Sequence, residues 1–177
     1  MPSGRTHDAI TFILAAPIFA LAYAATANLP STIAITASFL FGGLMFGPDL
    51  DTHSKQYSRW GIFRLLWLPY RSIFKHRSRW SHGLIFGTLF RVVYCMGVLT
   101  IAAFMGLVAT ASISGGQIPG ISALTEAWQG IGEFMRGTFG TNILPSVFIG
   151  MWIGAASHTF TDMASTYVKT GRVTEFM

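Results

Sequence analysis

The sequence holds five histidines (7, 53, 76, 82 and 158) and four aspartates (8, 49, 51 and 162), and all nine fall in four short windows: HD, DLDTH, HRSRWSH and HTFTD. Imidazole nitrogens and carboxylate oxygens are the usual donors to zinc, and carboxylates also suit manganese and magnesium. The clustering therefore points to a divalent-metal site assembled from distant segments. In HTFTD, His158 and Asp162 are spaced i, i+4, which on a helix puts both on one face about 6 Å apart, able to grip one ion. The plainer reading is that the two pair with each other. In PDLDTH, Pro48 disfavours a helical Gly47, so Asp49 and Asp51 are expected to be extended, with both carboxylates on one side and able to bridge cations. Asp-rich turns also serve as simple helix stops. His7 and Asp8 suit a metal site or, equally, the capping of a helix N-terminus. In HRSRWSH, His82 is the stronger candidate because it adjoins a long apolar segment, whereas His76, Arg77 and Arg79 also read as a solvated basic flank. Four unrelated caps and pairs would not be expected to consume every His and Asp of the chain.

These windows must be positioned by a very apolar chain. Of 177 residues, 51% are hydrophobic and only 11% charged, which is outside the range of ordinary soluble domains. The expected fold class is all-α: a single membrane-embedded domain over residues 1–177, a bundle of about four transmembrane helices plus an interfacial amphipathic helix. Four uncharged or nearly uncharged stretches, about 9–27, 31–47, 84–111 and 143–162, have lengths close to what a bilayer core of roughly 30 Å demands. The end of the first, AYAATA behind Arg5, also resembles a signal-peptide cleavage region, but the membrane-span reading is preferred. Between the second and third spans lies a basic hub, residues 48–83, with seven of the twelve Lys and Arg residues and several Trp and Tyr. Within it, SRWGIFRLLWLPYRSIFK mixes arginines with large apolar side chains as a helix lying on lipid headgroups would, broken near Pro69. A short helix is expected around residues 122–136. Cys95 is the lone cysteine, so there is no disulfide framework.

Charge sets the topology. Arg5, the hub, Lys169 and Arg172 fall on one side of a four-span arrangement and only Arg136 on the other, so both termini and the hub are expected on the cytoplasmic side. The net charge of +5 sits beside hydrophobic spans, which favours anionic membrane lipid, and not nucleic acid, as the partner. On this topology all four windows converge on one membrane face. Ionisable groups near bilayer depth become tolerable when they neutralise one another around a cation or face a wet cavity.

SGRTHD, PDLDTH, HRSRWSH and SHTFTD, in this order between hydrophobic helices, resemble the motifs of a bacterial family of predicted membrane-bound metal-dependent hydrolases. The resemblance is closest to the metal-binding integral membrane proteins common in cyanobacteria, and it covers essentially the whole chain. It implies His7, Asp49, Asp51, His82, His158 and Asp162 as metal ligands, with His76 and His53 as weaker candidates. It also implies a bacterial inner membrane or thylakoid-type membrane as the location. The family is distantly similar to zinc-dependent phospholipases C and single-strand-specific nucleases, whose N-terminal tryptophan ligand this chain lacks.

The activity so implied is metal-assisted hydrolysis of a lipid or other amphiphilic phosphoester at the cytoplasmic face. One or two divalent ions, zinc first and manganese or magnesium next, would activate water. Asp51 or Asp8 would act as general base, and Arg77, Arg79 or Arg91 would hold a phosphate or headgroup. The alternative is a non-catalytic metal-binding membrane protein, a subunit or assembly factor of a larger membrane complex, whose metal site staples helix ends together.

Overall fold

The computed structural model describes residues 3–74, 78–83 and 86–171, and every regular element among them is helical. Helix α1 (Gly4–Thr26) begins at Ser3, whose hydroxyl accepts the Thr6 amide, and ends at Ala27 in the left-handed region, φ 46°. Asn28 then caps α2 (Leu29–Leu44) by accepting the Ser31 amide at 2.9 Å, with Pro30 in the first turn where its missing N–H costs nothing. Only Ala27 and Asn28 separate the two helices. Short pieces follow: a 3-10 turn (Pro48–Asp51), α3 (Lys55–Arg59), a 3-10 stretch (Gly61–Trp67), α4 (Leu68–Ile73) and α5 (Arg79–His82). Three longer helices complete the chain: α6 (Phe86–Ser114), α7 (Ile121–Phe139) and α8 (Ile143–Thr170).

Of the four spans expected, α1, α6 and α8 are long and apolar enough to cross a bilayer. Helix α2 has 16 residues, about 24 Å at the standard rise, which falls short of a core of roughly 30 Å. Two boundaries differ from expectation in a way that matters for the site. Helix α1 starts at Gly4 instead of residue 9, and α8 continues to Thr170 instead of stopping at 162. His7, His158 and Asp162 therefore lie within continuous helices.

Helix α2 is sandwiched between α1 and α8. The α2–α8 contact depends on Gly150 and Gly154, four apart on one face of α8. A Cβ on Gly150 would come within 2.2 Å of Ile35 O, and one on Gly154 within 2.1 Å of Phe39 O. No side chain fits at either position, and the bare backbone lets the two helices approach closely.

The hub departs from the expected interfacial helix. Instead of one amphipathic helix broken at Pro69, residues 55–73 form three short pieces, and Pro69 lies in the first turn of α4, starting that helix. The reason is aromatic packing. Phe46, Leu50, Tyr57, Trp67 and Tyr70 bury one another to 3% exposure or less, with Trp60 and Tyr94 packed around them. Edge-to-face ring contacts such as Trp67–Tyr70, centroids 5.6 Å apart, hold this core. Only the outer side keeps the apolar surface foreseen for a headgroup-facing segment, with Ile62 77% and Phe63 64% exposed. Helix α7, longer than the expected 122–136, is tied to α6 by Trp128 Nε1 donating to Thr100 Oγ1 at 3.1 Å.

Candidate metal centre

Three helical turns and one 3-10 turn bring the centre together. His7 and Asp162 meet between α1 and α8, with His7 Nε2 3.2 Å from Asp162 Oδ1. One turn earlier on α8, His158 Nε2 lies 3.7 Å from Asp162 Oδ2, the i, i+4 relation read from HTFTD. The His7 and His158 rings stack face to face, centroids 3.7 Å apart and nearly parallel. Suitable donor atoms of His7, His158 and Asp162 all lie within 4.8 Å of one another, and all three residues are buried. Asp49 extends the group, its Oδ2 3.4 Å from His158 Nε2 and its Oδ1 3.6 Å from His82 Nε2. Asp51 Oδ2 approaches the other nitrogen of that ring, His82 Nδ1, at 3.6 Å. His7, Asp162, His158, Asp49, His82 and Asp51 thus form one continuous chain of contacts.

The PDLD segment achieves this differently from expectation. Gly47 is extended, as the residue before proline should be, but residues 48–51 then coil into a 3-10 turn. The turn sends Asp49 and Asp51 to opposite nitrogens of His82, where an extended strand would have placed the carboxylates side by side.

The cluster's chemistry fits a cation. His158 Nε2, both oxygens of Asp162 and Asp49 Oδ1 are buried, and none has a hydrogen-bond partner among the described residues. They converge without the alignment needed to satisfy one another. Three carboxylates are gathered here, and the buried cation whose charge reaches Asp49 and Asp51 is Arg91. With neutral imidazoles the balance among the described residues is two negative charges, opposite to one divalent ion; left uncompensated in a buried site they would cost several kcal/mol each. Burial works to raise the Asp49 carboxyl, but the neighbouring His158 and His82 rings, when charged, outweigh it and hold the group well below the usual carboxylate range; with neutral imidazoles that stabilising charge is left for a bound cation to supply.

Supporting contacts fix the rings. Gln56 on α3, 4% exposed, donates from Nε2 to Gly43 O at 2.8 Å, and the same nitrogen lies 3.2 Å from His158 Nδ1. Ser81 Oγ lies 3.0 Å from His82 Nδ1. Ligating histidines are generally held in this way from the nitrogen that faces away from the metal. Gln56 escapes sequence reading because an isolated amide in a polar segment carries no periodic or compositional signal.

Three candidates take other roles. Asp8, considered as a general base, accepts both guanidinium nitrogens of Arg59, at 2.9 and 2.6 Å, with Lys55 Nζ at 3.4 Å. Its charge is consumed in tying α1 to α3, because consecutive helical residues point about 100° apart and His7 takes the inward direction. Arg91, considered as a phosphate or headgroup contact, is 2% exposed and donates to Ser81 O at 2.7 Å and Thr88 Oγ1 at 3.0 Å. It anchors α5 beside His82 and does not reach toward lipid. His53 is exposed and packs edge-on against Tyr57. His76 and Arg77 lie outside the described residues, and of Arg79 the backbone alone is described, at the start of α5.

Comparison with known proteins adds one finding. Residues 2–172 match the model of the family described as "Uncharacterized metal-binding protein (DUF2227)". No curated protein and no solved structure matches the chain.

Proposed function

The chain belongs to this family of metal-binding proteins, and we propose, from the geometry of the cluster, that it is a membrane-embedded, metal-dependent hydrolase of phosphoesters, with its centre at the cytoplasmic face. His7, His158 and Asp162 would hold one divalent ion, with Asp49 shared toward a second position at His82. A bound ion would supply Lewis acidity, polarising a phosphoryl oxygen and bringing the pKa of water toward neutrality. Zinc suits the mixed nitrogen and oxygen donors best, with manganese or magnesium next.

One observation carries the reading. Five of the six residues are buried, but the side chain of Asp49, at the junction of the two halves, is 24% exposed. A purely structural site is closed by protein on all sides, whereas a catalytic one keeps a face for water and substrate. Asp49 gives that face a carboxylate able to accept a hydrogen bond from a water and orient it. Asp51 and Ser81 hold His82, and Gln56 holds His158, so that neither ring turns away from the opening. The non-catalytic alternative rests on a different feature: the same contacts join α1, α8, the 3-10 turn and α5, as a staple would.

The two readings separate experimentally. Detergent-purified protein loaded with zinc should hydrolyse a chromogenic phosphodiester, lose that activity with chelator, and lose it in Asp49→Asn with metal still bound. Metal-dependent thermal stability without any hydrolysis would favour the staple and overturn the enzyme.

A further inference from the structure

The centre divides at Asp49 into two unequal halves. One half gathers His7, His158 and Asp162, whose donor atoms lie within 4.8 Å of one another, and Asp49 turns its Oδ2 toward it, 3.4 Å from His158 Nε2. The other half is sparse. Asp49 Oδ1 lies 3.6 Å from His82 Nε2, wider than a hydrogen bond but close to the separation of about 3.4 Å between two donors that each hold one zinc ion at about 2.1 Å. Asp51 does not join that pair, because it and Ser81 lie at His82 Nδ1, on the other side of the ring. An ion at this second position therefore draws two donors from the described residues, where zinc takes about four and magnesium or manganese about six. Charge says what completes the set. Three carboxylates and Arg91 leave the cluster with two negative charges, which a first divalent ion neutralises. A second ion brings two positive charges into a site that is buried except at Asp49, and such charge is costly there without a counter-ion. An anion must come with it. Two arginines near the centre are already committed, Arg91 to Ser81 O and Thr88 Oγ1, and Arg59 to Asp8.

We propose that a second divalent ion, held by His82 Nε2 and Asp49 Oδ1, enters the centre only together with a phosphate group, whose oxygens complete its coordination. The inference rests on the phosphoester reading above and says how that substrate is held: by a metal ion, and not by an arginine. Asp51 is a positioning residue in this half, keeping His82 Nε2 turned toward Asp49. The coupling runs both ways. The phosphate raises the affinity for the second ion by the same factor as the ion raises the affinity for the phosphate.

The test needs no turnover. Detergent-purified protein is dialysed against graded zinc with and without methylphosphonate, which carries the charge of a phosphate but no ester to hydrolyse, and bound zinc is counted by elemental analysis. A single zinc per chain is expected without the anion and a second with it, the affinity for the second rising about tenfold or more. Radiolabelled methylphosphonate should be retained by the doubly loaded protein and not by the singly loaded one. His82→Ala should keep the first zinc, which shows that it folds, and take up no second one with the anion. Asp51→Asn should leave the first affinity unchanged and weaken the second about tenfold. Dodecylphosphonate in place of methylphosphonate separates the sources: a larger gain points to a lipid headgroup and an equal gain to a soluble phosphate, and either supports the coupling. A second zinc bound as tightly without the anion, no second zinc in its presence, or a second zinc that persists in His82→Ala would each overturn the proposal. The wild-type counts decide the matter even where a variant fails to fold. Hydrolysis of a soluble phosphodiester without anion-linked uptake of zinc would sink this inference and leave the hydrolase standing; linked uptake without hydrolysis would do the reverse.

Discussion

His7 Nε2 lies 3.2 Å from Asp162 Oδ1, so the first helix and the last are joined by a contact between two buried ionisable groups. His7 also stacks on the His158 ring of that last helix, centroids 3.7 Å apart, and the three side chains make sense as donors to one ion.

Removing a donor should therefore remove the metal. Asp162→Ala and His158→Ala, purified in detergent, are expected to carry well under a tenth of the wild-type metal by elemental analysis. Unchanged content in both would sink the shared centre.

A subtler loss is expected at Gln56. Gln56→Ala leaves all six donors in place but frees the His158 ring from its Nδ1 side. Losing such outer contacts typically costs about 10–100-fold in metal affinity. Competition with a zinc indicator would measure it, and an affinity within twofold of wild type would show that the ring needs no such support.

Asp8→Asn offers a contrast one residue away from His7. It weakens the contacts with Arg59 and Lys55, which are partly solvent-exposed, and such pairs are worth about 1 kcal/mol or less. Metal content should stay at the wild-type level while the melting temperature falls slightly. Loss of metal in this variant would assign Asp8 to the centre after all.

Packing between α2 and α8 should be unforgiving at Gly154. Gly154→Val drives a side chain into Phe39 O, and because the obstacle is backbone, the helices themselves must separate. Overpacking of this kind costs about 1–3 kcal/mol, and parting the helices would also disturb His158 one turn away. A lower melting temperature together with reduced metal content is expected; a variant as stable as wild type would mean that the α2–α8 contact can shift freely.

Chelation should act in the same direction without any substitution. Ligand bound only to the folded state stabilises it by about 2.7 kcal/mol at a hundredfold excess over Kd. Thermal unfolding followed with and without EDTA should show the difference, and coincident curves would mean that no ion is held.

Part of this arrangement is legible in the sequence alone. The His158–Asp162 spacing needs only a helix to place both groups on one face, and α8 supplies it. Hydropathy and charge lead to the expectation that the four windows converge, and each does supply at least one residue to the cluster. What escaped was local or silent. Asp8 and His7 are neighbours in sequence, and reading them as one unit overlooked the turn of the helix that separates them. The 3-10 turn at Pro48–Asp51 depends on His82, distant in sequence, to give both carboxylates an object. The hub's aromatics looked like a headgroup-facing set because amphipathic spacing cannot reveal that Trp67 and Tyr70 find each other first. Gly150 and Gly154 were readable as a close-approach pair and were passed over within an apolar run.

The His7–Asp162 contact also imposes an order in time. A chain emerging from the ribosome carries His7 first, and its counterpart arrives only 155 residues later. Whatever ion the cluster holds can be captured completely only after α8 is in place beside α1, so its acquisition follows the meeting of these helices and cannot guide it.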